Sequence, residues 1–363
     1  MLIHIARKLL ILILIASMRY AYAVDYQVEV IAEGLDYPWS IAQLDSGEFL
    51  VTQKSGSLLR IDLEGGTHLI SGTPPVYYKS QGGLMEVRLH PSFRDNRWVY
   101  LSWSGGDAAQ NRTTVGRARL IDDALENLEI ILEVSPDKDT AAHYGAKLAF
   151  ATDGALLVSV GEGFQYREQA QSLDSELGKL LRVNDDGSPR ADNPFPNRAP
   201  RVLSYGHRNP QGLAVDAETG TIWMTEHGPR GGDELNRIEA GKNYGWPAIT
   251  YGVDYSGAVI SPFTEAEGMM QPVTYWVPSI ATSGLAIYRG DQFPALSNQL
   301  LVGALRDRKL FALNVSDAGV EQTEPFPELE GRVRDIRVFS DGAIYVVTDE
   351  GAVLRISAAK ATP

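Results

Sequence analysis

The sequence predicts an all-β fold, a six-bladed β-propeller of four-stranded antiparallel blades, on three observations. Glycine-type turns precede short apolar strands along the chain, one arginine-bearing strand pattern recurs six times, and long amphipathic helix patterns are scarce. The turns come first. Ser46-Gly47 precedes Glu48–Thr52, Asp153-Gly154 precedes Ala155–Ser159, Thr219-Gly220 precedes Thr221–Thr225, and Asp341-Gly342 precedes Ala343–Val347. The recurring strand follows at a shorter distance. Leu58–Ile61, Leu180–Val183, Leu235–Ile238 and Val353–Ile356 are strong copies; Arg117–Leu120 and Lys309–Leu313 are weaker ones. About 340 residues beyond the leader, shared among six units, give roughly 57 per blade. Six copies of one strand favour a propeller over a two-sheet sandwich. A propeller closes when a terminal strand completes the first or last sheet, so Tyr26–Ala32 is expected to join the sheet of Val353–Ser357.

Composition narrows the partners. The 363-residue chain is 44% hydrophobic and 22% charged, ordinary for a globular protein. Its formal net charge of -13 argues against a nucleic-acid partner, because binding phosphates needs a basic surface. There is no cysteine, so disulfides, thiolate metal sites and cysteine nucleophiles are excluded. Arg7 and Lys8, the apolar run Leu9–Ala16 and the small-x-small triplet Ala21-Tyr22-Ala23 read as a cleaved signal peptide over residues 1–23. The mature chain then begins near Val24 as one propeller domain, 24–363, periplasmic or secreted. No later segment is long and apolar enough to span a membrane.

Four clusters carry chemistry-bearing residues, each in a different repeat. Ala142-His143-Tyr144-Gly145 sets a histidine at the mouth of a strand, suited to a general base. Tyr205–Gly212 contains Arg208 and Asn209, suited to a planar anionic ligand. Thr225–Asn236 is dense in glycine and carboxylates, which favours Ca²⁺ over zinc. In Gly331–Asp335 the side chains of Arg332 and Arg334 share one face of an extended segment and suit a polycarboxylate. The polar stretch Glu162–Glu176 breaks the rhythm and reads as a long loop or short helix on one face of the propeller.

From about Gly34 to Arg355 the chain resembles the soluble PQQ-dependent glucose and aldose sugar dehydrogenases, and within them the compact bacterial aldose sugar dehydrogenase branch. The motifs run in order: Gln81–Leu84 with His90-Pro91, His143-x-Gly145, Gly178–Arg182, Gly206-x-Arg208–Gly212, Glu226-x-Gly228-Pro229, Asp233–Asn236, Asn243–Pro247 and Arg332-x-Arg334-Asp335. The resemblance implies oxidation of the anomeric carbon of aldose sugars to lactones, with pyrroloquinoline quinone (PQQ) and Ca²⁺ as cofactors and an external electron acceptor. It implies His143 as the base, Gln81 against cofactor and substrate, and Arg208 with Asn209 against the quinone. Gly228 and Pro229 would offer backbone carbonyls to the catalytic Ca²⁺. Arg332 and Arg334 would clamp the cofactor carboxylates, with Arg306 standing where the family carries a lysine. Glu234 and Tyr244 match ligands of a second, structural Ca²⁺.

The chain departs from the pattern in three places. Ala142 replaces the aspartate that precedes the base in the glucose enzymes, so orientation of the imidazole must pass to another group. The segment after Gly161 reads Glu162-Gly163-Phe164-Gln165, leaving the substrate-side contact open, with Arg167 a candidate. Tyr275 and Trp276 offer an aromatic wall without aligning cleanly. Two other readings remain at this stage: a calcium-dependent propeller lactonase or hydrolase, and a propeller that binds without catalysing. Preferred sugar and oligomeric state stay open.

Overall fold

The computed structural model describes residues 25–359; the proposed leader lies outside them. Six separate four-stranded antiparallel sheets make the six blades. Blade one is Pro38–Gln43, Phe49–Gln53, Leu58–Ile61 and Thr67–Ile70. Blade two is Leu84–Leu89, Trp98–Gly106, Asn111–Ile121 and Ala124–Glu133. Blade three is Gly145–Phe150, Leu156–Val160, Lys179–Val183 and Val202–Tyr205. Blade four is Pro210–Val215, Ile222–Glu226, Asp233–Ile238 and Thr274–Trp276. Blade five is Thr282–Ile287, Leu300–Ala304, Lys309–Ser316 and Gly319–Thr323. Blade six takes Val333–Val338, Ile344–Thr348 and Val353–Ala358 from the end of the chain and Tyr26–Ala32 from its start.

All six copies of the recurring strand fall in the third position of their blades. The four glycine-turn strands all fall in the second. Closure occurs where the sequence places it: Tyr26 opposes Ala358 and Val28 opposes Ile356 in antiparallel register. No free edge remains between blades one and six, and the ring closes without a covalent link.

The first strands of neighbouring blades lie against one another and form the inner ring. Apolar side chains of adjacent blades pack between the sheets, as Leu50, Leu58 and Leu84 do between blades one and two. The inner ring also holds buried charge. Lys147 lies 3.1 Å from Glu86 and 2.9 Å from Asp335, Arg337 pairs with both carboxylates, and Arg88 reaches Glu86 at 2.9 Å. The indole of Trp39 lies against the Lys147 ammonium at 4.2 Å. The 162–176 segment is a loop carrying one 3₁₀ turn, Arg167–Gln171. Buried Lys179 pins that turn by donating to the carbonyls of Gln169, Ala170 and Leu177 at 2.9, 3.0 and 2.7 Å.

Candidate active site

One face of the ring gathers two kinds of segment from each blade: the residues that enter the first strand and those that leave the second. His143, Arg208, and Arg332 with Arg334 belong to the first kind, in blades three, four and six. Glu162, Glu226 to Pro229, Arg306 and Asp349 belong to the second. Antiparallel pairing brings the two together. Gly145 opposes Val160, Pro210 opposes Glu226, and Val333 opposes Thr348, so residues just outside these pairs face one another.

His143 is buried and held in the left-handed region, φ 51°. Such backbone is uncommon for a residue with a side chain and marks a constrained position. Its backbone N–H donates to Oε1 of Gln81 at 2.8 Å, which brings two sequence-predicted residues into contact. Its Nδ1 lies 2.9 Å from Oε1 of Glu162. Glu162 therefore occupies the orienting role left open by Ala142. Burial pushes the Glu162 carboxyl up to about 7, against the pull of Arg208. Burial, with Arg208 and Lys138 nearby, holds the imidazole well below its usual value. Lys138 is buried, donates to Oδ1 of Asn111 at 2.9 Å, and lies 3.4 Å from the centre of the Tyr144 ring. Burial pulls it down to about 7.

Arg208 and Asn209 are both buried. Nη1 of Arg208 donates to the carbonyls of His227 and Gly228 at 3.0 and 2.6 Å, while its buried Nε has no partner. Asn209 accepts from the N–H of Gly145 at 3.3 Å. Gln211 bridges onward, donating to the Gly145 carbonyl at 3.2 Å and accepting from Arg334 at 3.4 Å. Arg334 and Arg332 share the carboxylate of Asp349, at 2.8 and 3.0 Å. Burial and then the charge of Arg334 lower the pKa of the nearby Lys54. Arg332 also donates to the carbonyl of Leu305, next to Arg306. Lys54, Arg332 and Arg334 thus gather beside Asp349, while Glu350 accepts from the Arg332 N–H at 2.8 Å, and this cluster of cations fits a ligand with several carboxylates.

The calcium expectation meets a mixed donor set. Glu226 and Glu234 are paired across neighbouring strands. Glu226 accepts from His207 and from Asn236, each at 3.0 Å, and Asn236 also donates to Glu234 at 3.1 Å. Oδ1 of Asn236 is buried without a partner. Burial, then the charge of Glu226, raises Glu234 to about 8. Two crowded carboxylates and an orphaned amide oxygen fit a hard cation. Among the described residues no three His, Cys, Asp or Glu side chains gather to hold a metal by themselves, so carbonyl oxygens must contribute. Gly228 is tightly packed: a Cβ there would lie 2.2 Å from the Gly232 backbone. An ion on its carbonyl would share it with Arg208. Tyr244 contributes differently from a side-chain ligand. Its hydroxyl donates to the Arg237 carbonyl and accepts from the Glu239 N–H.

Other side chains of these motifs are held by neighbours within the fold. His207 is wholly buried between Ser204 and Glu226 and stacks on Tyr244 at 4.8 Å. Trp276 donates to Gln322 at 2.8 Å, and Tyr275 stacks on Tyr251 at 3.7 Å. The aromatic surfaces beside His143 and Arg208 are instead Phe164, Trp246 and Tyr255. Sequence reading alone did not single out Lys54, Lys138 and Asp349. Lys54 and Asp349 carry one usable signal: both stand directly after a second strand, at the position that Leu305 takes in blade five.

The chain matches the sequence model of the Glucose / Sorbosone dehydrogenase family over residues 35–355. It is 39% identical to the aldose sugar dehydrogenase YliI of Escherichia coli, across 95% of this chain and 96% of that protein. The crystal structure of the soluble aldose sugar dehydrogenase of Escherichia coli in its apo form superposes with a TM-score of 0.88, at 38% identity, over 92% of this chain and all of that one. The PQQ-bound aldose sugar dehydrogenase of Streptomyces coelicolor superposes with a TM-score of 0.77, at 26% identity, over 92% of this chain and 98% of that one.

Proposed function

The chain belongs to the glucose/sorbosone dehydrogenase family, and from that premise we propose that it oxidises the anomeric carbon of aldose sugars to lactones, using PQQ and Ca²⁺, in the periplasm or outside the cell. The propeller is the catalytic domain, behind the leader over residues 1–23. No helix among the described residues is long and apolar enough to cross a membrane. The observation that carries the reading is the buried His143–Glu162 pair beside Arg208, whose Nε has no protein partner.

The chemistry that PQQ would supply is a hydride acceptor, and Ca²⁺ would supply the Lewis acid that polarises it. The chain does the rest. Ionised Glu162 accepts Nδ1–H of His143, which leaves Nε2 of the imidazole free to take the proton of the anomeric hydroxyl. Gln81 fixes the backbone of His143. Arg208 offers Nε to charge developing on the cofactor, with Asn209 beside it. Arg332, Arg334 and Arg306 receive the cofactor carboxylates. Gly228 and Pro229 would hold the catalytic ion, and Glu234 with Tyr244 would hold the structural one. The reaction as a whole would need an external electron acceptor.

A calcium-dependent hydrolase would need free carboxylates on the channel floor. Glu86 and Asp335, the acids of the inner ring, are already bound by Lys147, Arg88 and Arg337. The test is apoprotein given PQQ and Ca²⁺ and assayed for dye reduction against a panel of aldoses. Sugar-dependent reduction that requires both additions is expected. Uptake of PQQ without turnover of any aldose would overturn the reading.

A further inference from the structure

We infer that the central channel holds a second ligand site at its far mouth, away from His143, where Arg88 takes a small monocarboxylate with an apolar body. The inference does not depend on the reaction carried out at the other end. The first strands start at the face that carries His143, Arg208 and Arg334 and run to the opposite one. The last residue but one of these strands is Ala42, Arg88, Ala149, Ala214, Ala286 and Arg337 in blades one to six. Alanine in three successive blades leaves room beside the two arginines. A cavity of about 270 Å³ opens there, lined by Ala149, Ala214 and Ala286, by Arg88 and Arg337, and by apolar residues such as Leu213, Ile287 and Val338.

The two arginines differ in what they already hold. Arg337 is fully engaged: Nη2 meets Glu86, Asp335 at 2.9 Å and Ser40 at 3.3 Å, Nε donates to the Ile41 carbonyl at 3.3 Å, and Nη1 donates to the Ile336 carbonyl at 3.2 Å. Arg88 uses only Nε, which donates to the Leu148 carbonyl at 2.7 Å and lies 2.9 Å from Glu86. No hydrogen bond among the described residues engages its two terminal amino groups. The charges of the cluster do not balance either. Glu86 and Asp335 stand against Lys147, Arg337 and Arg88, which leaves one positive charge in excess. Arg289, also in the lining, adds none, because Asp216 and Glu218 hold it at 2.8 and 3.1 Å. Burial and the charge of Arg337 pull Arg88 down to about 10, as expected of a cation short of a counter-ion. One carboxylate restores the balance, and its planar pair of oxygens matches the free fork. The apolar walls disfavour a strongly hydrated ion and suit a hydrocarbon body, and the volume limits that body to a small ring or short chain.

The experiment is calorimetric titration of benzoate into the protein supplied with PQQ and Ca²⁺, with benzyl alcohol and acetate as comparisons. Supplying the cofactors keeps the arginines of the opposite face from competing, and the variants locate the site whether or not PQQ is retained. Benzoate is expected to bind, and benzyl alcohol, which lacks the charge, to bind about tenfold or more weakly. Acetate should also bind more weakly, because it has almost no apolar body to bury. Arg88→Met should raise Kd for benzoate by about ten- to a hundredfold, and Arg88→Lys, which keeps the charge and loses the fork, by less. Ala214→Phe fills the cavity without touching a charge and should remove binding; it decides the matter if Arg88→Met fails to fold. No binding of benzoate, equal binding in Arg88→Met and Ala214→Phe, or acetate as tight as benzoate would overturn the assignment.

Discussion

Oε1 of Glu162 lies 2.9 Å from Nδ1 of His143, and the two residues meet at one end of an antiparallel strand pair in blade three, one entering it and one leaving it. The state of this carboxyl sets the tautomer of the base. Ionised, it accepts Nδ1–H and leaves Nε2 with a lone pair; protonated, it donates to Nδ1 and Nε2 must carry the proton. Burial holds Glu162 at about 7 and keeps the imidazole well below its usual range. The pair therefore titrates as a unit. The rate is expected to rise with pH along a limb near 7 that belongs to the pair, whereas an isolated histidine would place it near 6.5. Glu162→Gln should lower kcat and remove that limb. A pH profile of kcat/KM for both proteins is the check, and an unchanged limb in the variant would assign it elsewhere.

His143→Ala should cut kcat by about 10²- to 10⁴-fold, the usual contribution of a positioned base. PQQ uptake should persist, because the cofactor contacts come from other blades. His227→Ala is the control: its imidazole is half-buried, burial lowers it to about 4, and its buried Nε2 has no partner. Near-normal turnover in His143→Ala together with a collapse in His227→Ala would exchange their roles.

The repeat pattern made the fold legible because each blade carries its own copy of the second or third strand. The site was half legible for a related reason. The entering segments hold their functional residues in compact motifs, as with His143 and Arg208. Their partners leave the second strand, 15 to 20 positions later, and become neighbours only through strand register. Glu162 opposite His143 and Asp349 opposite Arg332 are of this kind. Tyr244 shows the converse. The resemblance implies a ligand there, while only the structure shows what its hydroxyl does, closing a turn onto Arg237.

Arg334→Ala should raise the PQQ concentration for half-activation by about ten- to a hundredfold, the worth of a charge-assisted bond in a shielded site. Arg332→Ala should cost less, because its side chain is 43% exposed against 15% for Arg334, and solvent screens it. Titration of PQQ into each apoprotein measures both. A changed sugar KM with an unchanged PQQ titration would move the arginines out of the cofactor site.

Chelation should act twice. Removing Ca²⁺ is expected to abolish activity and to lower the melting temperature, since an ion bound only by the folded chain stabilises it. Glu234→Gln separates the effects. Without metal, Glu234 is raised to about 8, so between its unfolded value and pH 8 folding works against its ionisation. The amide removes that burden, and the metal-free variant should melt higher than the metal-free wild type at pH 7, while losing the stabilisation by added Ca²⁺. Calorimetry with and without EDTA tests this; a variant still stabilised by Ca²⁺ would place the ion elsewhere.

The inner-ring charges should matter for stability. Lys147 joins Glu86 and Asp335 from three first strands that are distant in sequence, and all three side chains are buried. Taking charges from water is unfavourable, and removing one partner strands the others. Lys147→Met leaves two carboxylates to Arg88 and Arg337, and should cost about 3–5 kcal/mol in urea unfolding. The pH dependence has a definite sign. Burial would raise Asp335, but Arg337 and Lys147 overcome it and hold the carboxyl below its ordinary value. Its contribution is therefore present above the unfolded carboxyl value near 3.9 and is lost as pH falls through the lower folded value. The gap between wild type and variant should narrow below about pH 4. A Lys147→Met protein within about 1 kcal/mol of wild type at pH 7 would mean that Arg88 and Arg337 suffice to hold the two acids.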